Sequence, residues 1–147
     1  MDTNEITSNS ELINKWKVII SKTSSEHAGQ SDSSGRKKVL SRIEILSPNV
    51  VCSESYLLVK ASDEEQEVTN VGKYLKTKFV RFLLSTILLT QNIVKDKFSY
   101  VPMQDFTDKS DIYWSKSIDQ IDTQLYTKYN LTQEDISHIE SAIKPME

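Results

Sequence analysis

Cysteine, glycine and proline are scarce in this sequence, which has one cysteine, three glycines and three prolines. The lone Cys52 excludes an internal disulfide framework, and it cannot form a zinc site without several histidines or carboxylates close by. With so few glycines there is little material for a phosphate-binding loop, and neither G-x-x-x-x-G-K-[ST] nor G-x-G-x-x-G occurs. These shortages argue against a nucleotide-binding or disulfide-rich protein and indicate a reducing, cytoplasmic setting.

Long hydrophobic runs are missing as well. The run from Phe79 to Leu89 is eleven residues long and contains Arg81, whereas about 20 largely uncharged residues are needed to cross a bilayer. Residues 1–13 lack the basic start and apolar middle of a signal peptide, so they are interpreted as a polar leader. We expect no membrane partner.

Residue types that carry catalysis are isolated from one another. His27 and His138 are far apart and have no nucleophile or metal ligand at a useful spacing. Glu44 and Glu54 could be imagined as the metal-binding pair of a nuclease, but the lysine that such a site needs is missing at the right offset. Structural roles are therefore favoured for all four residues, and for Cys52 as a small buried side chain.

The hydrophobic pattern predicts an α+β fold, with a small, mostly antiparallel sheet packed by a central buried helix or helix pair (63–92) and two C-terminal helices. WKVIISK (16–22) alternates like a half-buried strand, and a strand pair is expected around 43–46 and 53–59 with a turn at 47–49. A further short extended segment is expected around 98–102.

Three helix starts are predicted from paired residues that satisfy the first backbone N–H groups reciprocally. These pairs are Ser62 with Glu65, Ser117 with Gln120, and Thr132 with Asp135. The chain is accordingly divided into a leader (1–13), an α+β domain (14–103) with a flexible loop at 23–42, and an acidic helical subdomain (104–147).

Basic residues are concentrated in two segments although the whole chain carries a formal net charge of −3. Residues 15–45 hold seven basic and three acidic side chains, and residues 73–97 hold six and one. On a continuous helix, Tyr74, Lys78, Arg81, Ser85 and Asn92 share a narrow arc, which predicts a stripe that faces water or a ligand. Local sorting of charge of this kind is compatible with phosphate binding by one face.

Several blocks of the chain resemble, in unchanged order, the C-terminal region of adenine-specific DNA methyltransferases and of fused methyltransferase-endonucleases in restriction-modification systems. The blocks are WKVIISK, VVCSESYLLV, VGKYLKTKFVRFLLSTILLTQN, FSYVPMQDF and LYTKYNLTQEDISHIESAIKPM. The resemblance covers about 130 residues. YLKTKFVRFLL, VPMQDF and LYTKYNLT are its most distinctive pieces.

This resemblance implies a target-recognition or DNA-positioning segment that follows a catalytic domain. Methyltransferases of the family use an F-x-G-x-G loop for S-adenosylmethionine and a catalytic N-P-P-Y, and neither occurs here. We therefore expect no enzymatic activity and no cofactor in this chain, with S-adenosylmethionine bound by the missing catalytic domain. The sequence departs from the family at Asn130, where relatives often have glycine, and loop 23–42 matches least.

Together, charge pattern and resemblance lead to the hypothesis that one surface binds double-stranded DNA. Lysines would hold phosphates, and arginine or amide side chains could read base edges. The candidate DNA-binding residues are Lys15, Lys17, Lys22, Arg36, Lys37, Lys38, Lys78, Arg81, Ser85 and Asn92.

An alternative is a protein-interaction or scaffolding module whose acidic helical tail docks onto the catalytic part of the same enzyme. The aromatic residues Tyr113, Trp114, Tyr126 and Tyr129 could supply its surface, although a core role for them is favoured. An independent nuclease is disfavoured because the sequence offers no metal site for it.

Overall fold

The computed structural model describes residues 13–21, 35–40, 42–51, 55–87 and 101–146. These residues form a three-stranded antiparallel sheet and four helices, which confirms the predicted α+β class. The elements in chain order are β1 (Trp16–Ser21), β2 (Ile43–Leu46), β3 (Tyr56–Ser62), α1 (Glu65–Lys76), α2 (Lys78–Ile87), α3 (Ile118–Lys128) and α4 (Gln133–Ala142).

The sheet has the order β2-β1-β3, so β1 is its central strand. Its residues Val18, Ile19 and Ile20 are all buried, and the prediction of a half-buried β1 is therefore wrong. The alternation in the sequence is interrupted by the apolar Ile19, and the pairing of β1 with β3 shifts register between Val18 and Ile19. β2 coincides with the predicted strand, and β3 ends at Ser62 rather than near residue 59. The two strands do not pair with each other, because β1 lies between them, so the expected strand pair is wrong.

The predicted helical region is a pair of helices with a break at Thr77. This residue is fully buried and adopts an extended conformation, with φ −66° and ψ 152°. α1 contacts all three strands as well as α2 and α3, and α2 contacts α3 and α4. α1 thus lies between the sheet and the C-terminal helices.

Two of the three predicted helix starts are confirmed. The side chains of Ser117 and Thr132 each accept a hydrogen bond from the backbone N–H three residues later, and their own backbone N–H groups donate to the side chains of Gln120 and Asp135. Ser62 is different because it is the last residue of β3, and its hydroxyl accepts from Glu64 N and donates to Glu67. The predicted pairing of Ser62 with Glu65 is therefore wrong.

Two turns each contain an asparagine in the left-handed conformation. Asn130 directly follows Tyr129, the C-cap residue of α3, and has φ +55°, a left-handed conformation that Asn tolerates in place of glycine. The turn predicted at 47–49 is present, with Val50 N donating to Ser47 O at 3.2 Å and Asn49 at φ +70°.

Residues 101–117 contain no regular helix or strand, and α1 holds their backbone through side chains. Asn70 donates to Phe106 O at 2.8 Å, Tyr74 to Pro102 O at 2.7 Å and Lys73 to Trp114 O at 2.7 Å. One hydrophobic core includes residues on both sides of the domain boundary expected at residue 103. Residues 101 and 102 are not in a strand, and the rest of the extended segment expected there lies outside the described residues.

Candidate nucleic-acid interface

The predicted stripe on the helix does not face solvent as a whole. Tyr74 is 3% exposed and Arg81 is fully buried, so the expectation that these two residues face water or a ligand is wrong. The stripe is not continuous because of the break at Thr77: residues before and after an extended residue no longer share one helical phase.

Arg81 is bound to backbone carbonyl oxygens. Its Nη2 donates to Lys76 O at 2.9 Å, its Nε contacts Lys76 O and Thr77 O at 3.2 and 3.3 Å, and its Nη1 donates to Lys38 O at 3.1 Å. Burial lowers the pKa of Arg81 to about 10, so the guanidinium keeps its positive charge at neutral pH. In this arrangement it cannot also reach a phosphate.

The other residues of the stripe are engaged or lie outside the described residues. The Lys78 side chain is 12% exposed and pairs with Glu140 of α4. The Ser85 hydroxyl donates to Phe82 O at 2.6 Å. Asn92, like Lys22 of the strand set, lies outside the described residues.

The strand lysines are also occupied. Lys15 forms a 2.9 Å ion pair with Asp63. Lys17 is only 5% exposed, and its Nζ donates to Lys15 O at 2.7 Å and to Ile13 O at 3.3 Å. The expected basic polar face of β1 is therefore not an open cationic surface.

Residues 36–38 are the predicted cations whose side chains remain at the surface. Lys37 forms a parallel bridge with Ile143, in which Lys37 N donates to Ala142 O and Lys144 N donates to Lys37 O, both at 2.8 Å. Arg81 binds Lys38 O and Lys76 O together. These contacts bring the backbones of residues 36–38, Lys76 and Lys144 to one place.

We call this set the basic corner. Lys37, Lys38 and Lys144 are exposed there, and Arg36 and Lys76 are half-buried. Within the ranges that the structure describes, Lys37, Lys38 and Lys76 form no ion pair with a carboxylate. Its members are Arg36, Lys37, Lys38, Lys76 and Lys144.

The backbone beside the basic corner is strained. Val39 has φ +69° although it is β-branched and buried, and Leu40 N donates to Lys38 O at 2.8 Å across it. This geometry is that of a tight turn that few β-branched residues adopt. Conformations of this kind persist where surrounding contacts enforce them, and they cluster at functional sites.

Sequence reasoning missed Lys76 and Lys144. Lys76 belonged to a basic segment, but its place beside Lys38 depends on the buried Arg81. Lys144 reaches Lys37 through a bridge between residues far apart in the chain, and no local sequence pattern predicts such a contact. Neither position could have been assigned to this corner from periodicity.

The candidate metal-binding and catalytic residues are not grouped in the described part of the chain. No group of three or more histidine, cysteine, aspartate or glutamate side chains suited to a metal occurs among the described residues. Glu44 pairs with Arg42 at 3.1 Å, and the exposed His138 ring contacts Phe82 edge-on. Cys52, Glu54 and His27 lie outside the described residues.

The four aromatic residues considered for a protein interface differ in exposure. Trp114 and Tyr126 are buried in the core, and Tyr129 is half-buried and stacks on Phe79 with ring centroids 5.3 Å apart. Tyr113 alone of these four is exposed, at 68%.

In the part of the chain with described structure, no helix combines the length and the apolar character needed to cross a membrane. Comparison of the chain with family models, with curated proteins and with solved structures gives no match.

Proposed function

We propose that this chain is a non-catalytic DNA-recognition or DNA-positioning domain of a cytoplasmic restriction-modification adenine DNA methyltransferase. The proposal is supported by the way in which the blocks that carry the family resemblance pack together. Gln104 of VPMQDF donates to the Tyr129 hydroxyl of LYTKYNLT at 2.6 Å and accepts from Lys128 at 2.7 Å. It also contacts the Tyr74 hydroxyl of YLKTKFVRFLL at 3.3 Å.

The observation that carries the proposal is the basic corner. Its lysines project from a backbone that Arg81, Ala142 and Lys144 already hold in place. Because the backbone is ordered before binding, less conformational entropy is lost when phosphates are bound. A local concentration of cations can attract DNA to an acidic chain, since phosphate contacts depend on the field of one face.

In this proposal the domain positions duplex DNA and does no chemistry itself. The catalytic domain implied by the resemblance would bind S-adenosylmethionine and supply the methyl-transfer residues. The partners of this chain are then double-stranded DNA and that catalytic domain.

The test is the salt dependence of duplex DNA affinity, measured for the chain with Lys37 and Lys38 both replaced by alanine. Removing two phosphate contacts should reduce the slope of log K against log salt concentration by about 2. The matched control replaces Lys15 and Lys60, whose carboxylate partners are Asp63 and Glu67. It changes the net charge equally and should leave the slope unchanged.

Equal slopes for the parent chain and the Lys37/Lys38 variant would remove the basic corner from the interface. A loss of slope in the control variant instead would restore the original assignment of Lys15 and would contradict the surface proposed from the structure.

A second candidate function is docking onto the catalytic part of the same enzyme. A groove of about 530 Å³ between α2 and α4 is lined by Phe82, Leu83 and Ile139 and bordered by Glu134 and Asp135. Apolar grooves with a charged rim suit protein partners, and here the rim would select a basic segment. Replacing Phe82 with aspartate should abolish co-elution with the catalytic domain if docking is the function, and should leave DNA binding by the basic corner intact.

A further inference from the structure

Tyr113 is presented to solvent by a backbone that is fixed on both sides. Its neighbours Ile112 and Trp114 are each only 4% exposed, and Tyr113 O accepts the turn hydrogen bond from Lys116 N at 3.2 Å. The amide of Gln124 binds both backbone groups of Tyr113, accepting from its N–H at 2.7 Å and donating to its carbonyl at 3.2 Å. The ring therefore stands on a rigid support at 68% exposure.

Beside this ring lies a cavity of about 320 Å³ whose lining includes Trp114, Gln66, Asn70 and Asp108. Gln66 Nε2 donates to Asn70 Oδ1 at 3.0 Å, and Asn70 Nδ2 donates to Phe106 O at 2.8 Å. This chain of bonds orients the Gln66 amide, whose Oε1 accepts no hydrogen bond from the described residues. The Asp108 carboxylate is a second acceptor, so the polar part of the cavity is arranged to receive N–H donors.

Two lysines directly follow lining residues of the cavity in the chain. Lys109 follows the lining residue Asp108, and its backbone N–H donates to Thr107 Oγ1 at 3.3 Å. Lys116 follows the lining residue Ser115, and its backbone N–H donates to Tyr113 O at 3.2 Å. Both side chains are exposed, and neither pairs with a carboxylate in the ranges described.

We propose that this cavity binds an unpaired nucleobase of single-stranded DNA. The base stacks on the Tyr113 ring, since every base offers a π-face to an aromatic side chain. The exocyclic amine of cytosine or adenine donates to Gln66 Oε1 or to the Asp108 carboxylate, as amines on base edges do to amide and carboxylate acceptors. Lys109 and Lys116 bind the flanking phosphates.

This site differs from the basic corner in residues and in ligand. The corner binds phosphates of a duplex, in which the bases are stacked on each other, whereas the Tyr113 cavity requires a base that is free to leave the stack. The two proposals can therefore fail independently.

The experiment uses Trp114 as a reporter, because it lines the cavity and the chain has only one other tryptophan, Trp16. In a Trp16→Phe background, a short oligodeoxycytidine of about ten nucleotides is titrated while Trp114 fluorescence is followed. We expect saturable quenching, and Tyr113→Ala should weaken the affinity at least about tenfold because base–aromatic stacking is lost. Tyr113→Phe keeps the ring and should bind like the parent.

Base preference tests the polar part of the cavity. Oligothymidylate presents a carbonyl where cytosine presents an amine, so it should bind at least about fivefold more weakly than oligodeoxycytidine. Duplex affinity should be the same for Tyr113→Ala and for the parent.

The proposal is overturned if Tyr113→Ala binds oligodeoxycytidine like the parent, or if no saturable change in Trp114 fluorescence occurs. Equal affinity for the two oligonucleotides would overturn the roles of Gln66 and Asp108. Thermal unfolding of Tyr113→Ala checks its fold, and because the exposed ring contributes little to the core, its midpoint should match that of the parent.

Discussion

Arg81 shows how a buried charge can be held without a carboxylate partner at contact distance. Its donors end on the carbonyls of Lys76, Thr77 and Lys38. Lys76 O lies at the C-terminal end of α1, where carbonyls have no partner within the helix and the helix dipole is negative. Thr77 O, just beyond this end, also accepts from the backbone N–H of Arg81 at 3.3 Å. A guanidinium satisfies several such acceptors at once through its planar set of five donors.

We predict that Arg81→Met lowers the free energy of unfolding by about 2 kcal/mol, because Lys76 O loses its guanidinium donors, while Lys38 O and Thr77 O keep only the backbone N–H groups of Leu40 and residue 81. Arg81→Lys should recover only part of this loss, since one ammonium group cannot span Lys38 O and Lys76 O together. Chemical denaturation measures both. Lys116→Met serves as the control, since it removes an exposed cation and should change stability by no more than about 0.5 kcal/mol. An equally small effect for Arg81→Met would show that the carbonyls find other partners.

At the scale of elements, the residues around the break at Thr77 stabilise it by hydrogen bonds. The first N–H groups of α2 have no partner within the helix, and all are satisfied from outside it. Asp122 of α3 accepts from Lys78 N at 3.0 Å and from Phe79 N at 2.9 Å, and Thr77 Oγ1 accepts from Val80 N at 3.2 Å. Arg81 donates to a carbonyl oxygen at the end of α1, and Asp122 accepts from N–H groups at the start of α2. One buried residue of each charge therefore stabilises the bend at Thr77.

Asp122 should make stability depend on pH. Burial raises the pKa of its carboxyl from 3.8 to about 6, against the opposing effect of the two backbone N–H groups. Between these pH values the folded chain keeps a proton that the unfolded chain releases, so the contribution to stability is present at low pH and is lost as the pH rises toward 6. The charged or titratable groups that act on it are Lys78, Arg81, Tyr126 and Glu140.

We predict that the stability difference between the parent and Asp122→Asn falls by up to about 3 kcal/mol from about pH 4 to about pH 7. The difference isolates this carboxyl because the other titrating groups are common to both chains. Urea denaturation at several pH values measures it. A difference that rises with pH would mean that the two N–H donors outweigh burial and that the pKa of Asp122 is lowered instead.

At the scale of the whole molecule, local sequence patterns predicted most of the helices and strands, but they did not predict which side chains are exposed. β2 and the starts of α3 and α4 follow from short-range alternation and from capping pairs such as Thr132 with Asp135. The orientation of Arg81 could not be predicted, because one extended residue at Thr77 resets the helical phase. The burial of Lys17 and Ile19 depends on β1 being central, and that is a property of sheet order rather than of β1 itself.

The basic corner was predicted only in part, because some of its residues come together through tertiary contacts. Arg36, Lys37 and Lys38 form one run of sequence, and the exposure of the two lysines follows from their charge. Lys76 and Lys144 join them only through tertiary contacts. The ion pairs that neutralise Lys15 and Lys78 are likewise formed with distant residues, Asp63 and Glu140.

The bridge at Ile143 should determine how firmly the basic corner is held. Ile143 is fully buried and its neighbours bind both backbone groups of Lys37. We predict that Ile143→Ala lowers stability by about 2 to 4 kcal/mol. In hydrogen exchange, the amides of Lys37 and Lys144 should lose more protection than those of β1. Ile136→Ala, on α4 and only half-buried, is the control and should spare the Lys37 amide. Uniform loss of protection across the chain would show that the bridge is not a separate unit.

The same bridge also has a bearing on synthesis. Residues 36–38 leave the ribosome early, and Ile143 is synthesised more than a hundred residues later. The bridge that fixes the backbone of Lys37 therefore forms only after nearly all of the described chain has been made. Until translation has passed α4, the backbone of these residues lacks the hydrogen bonds of the bridge.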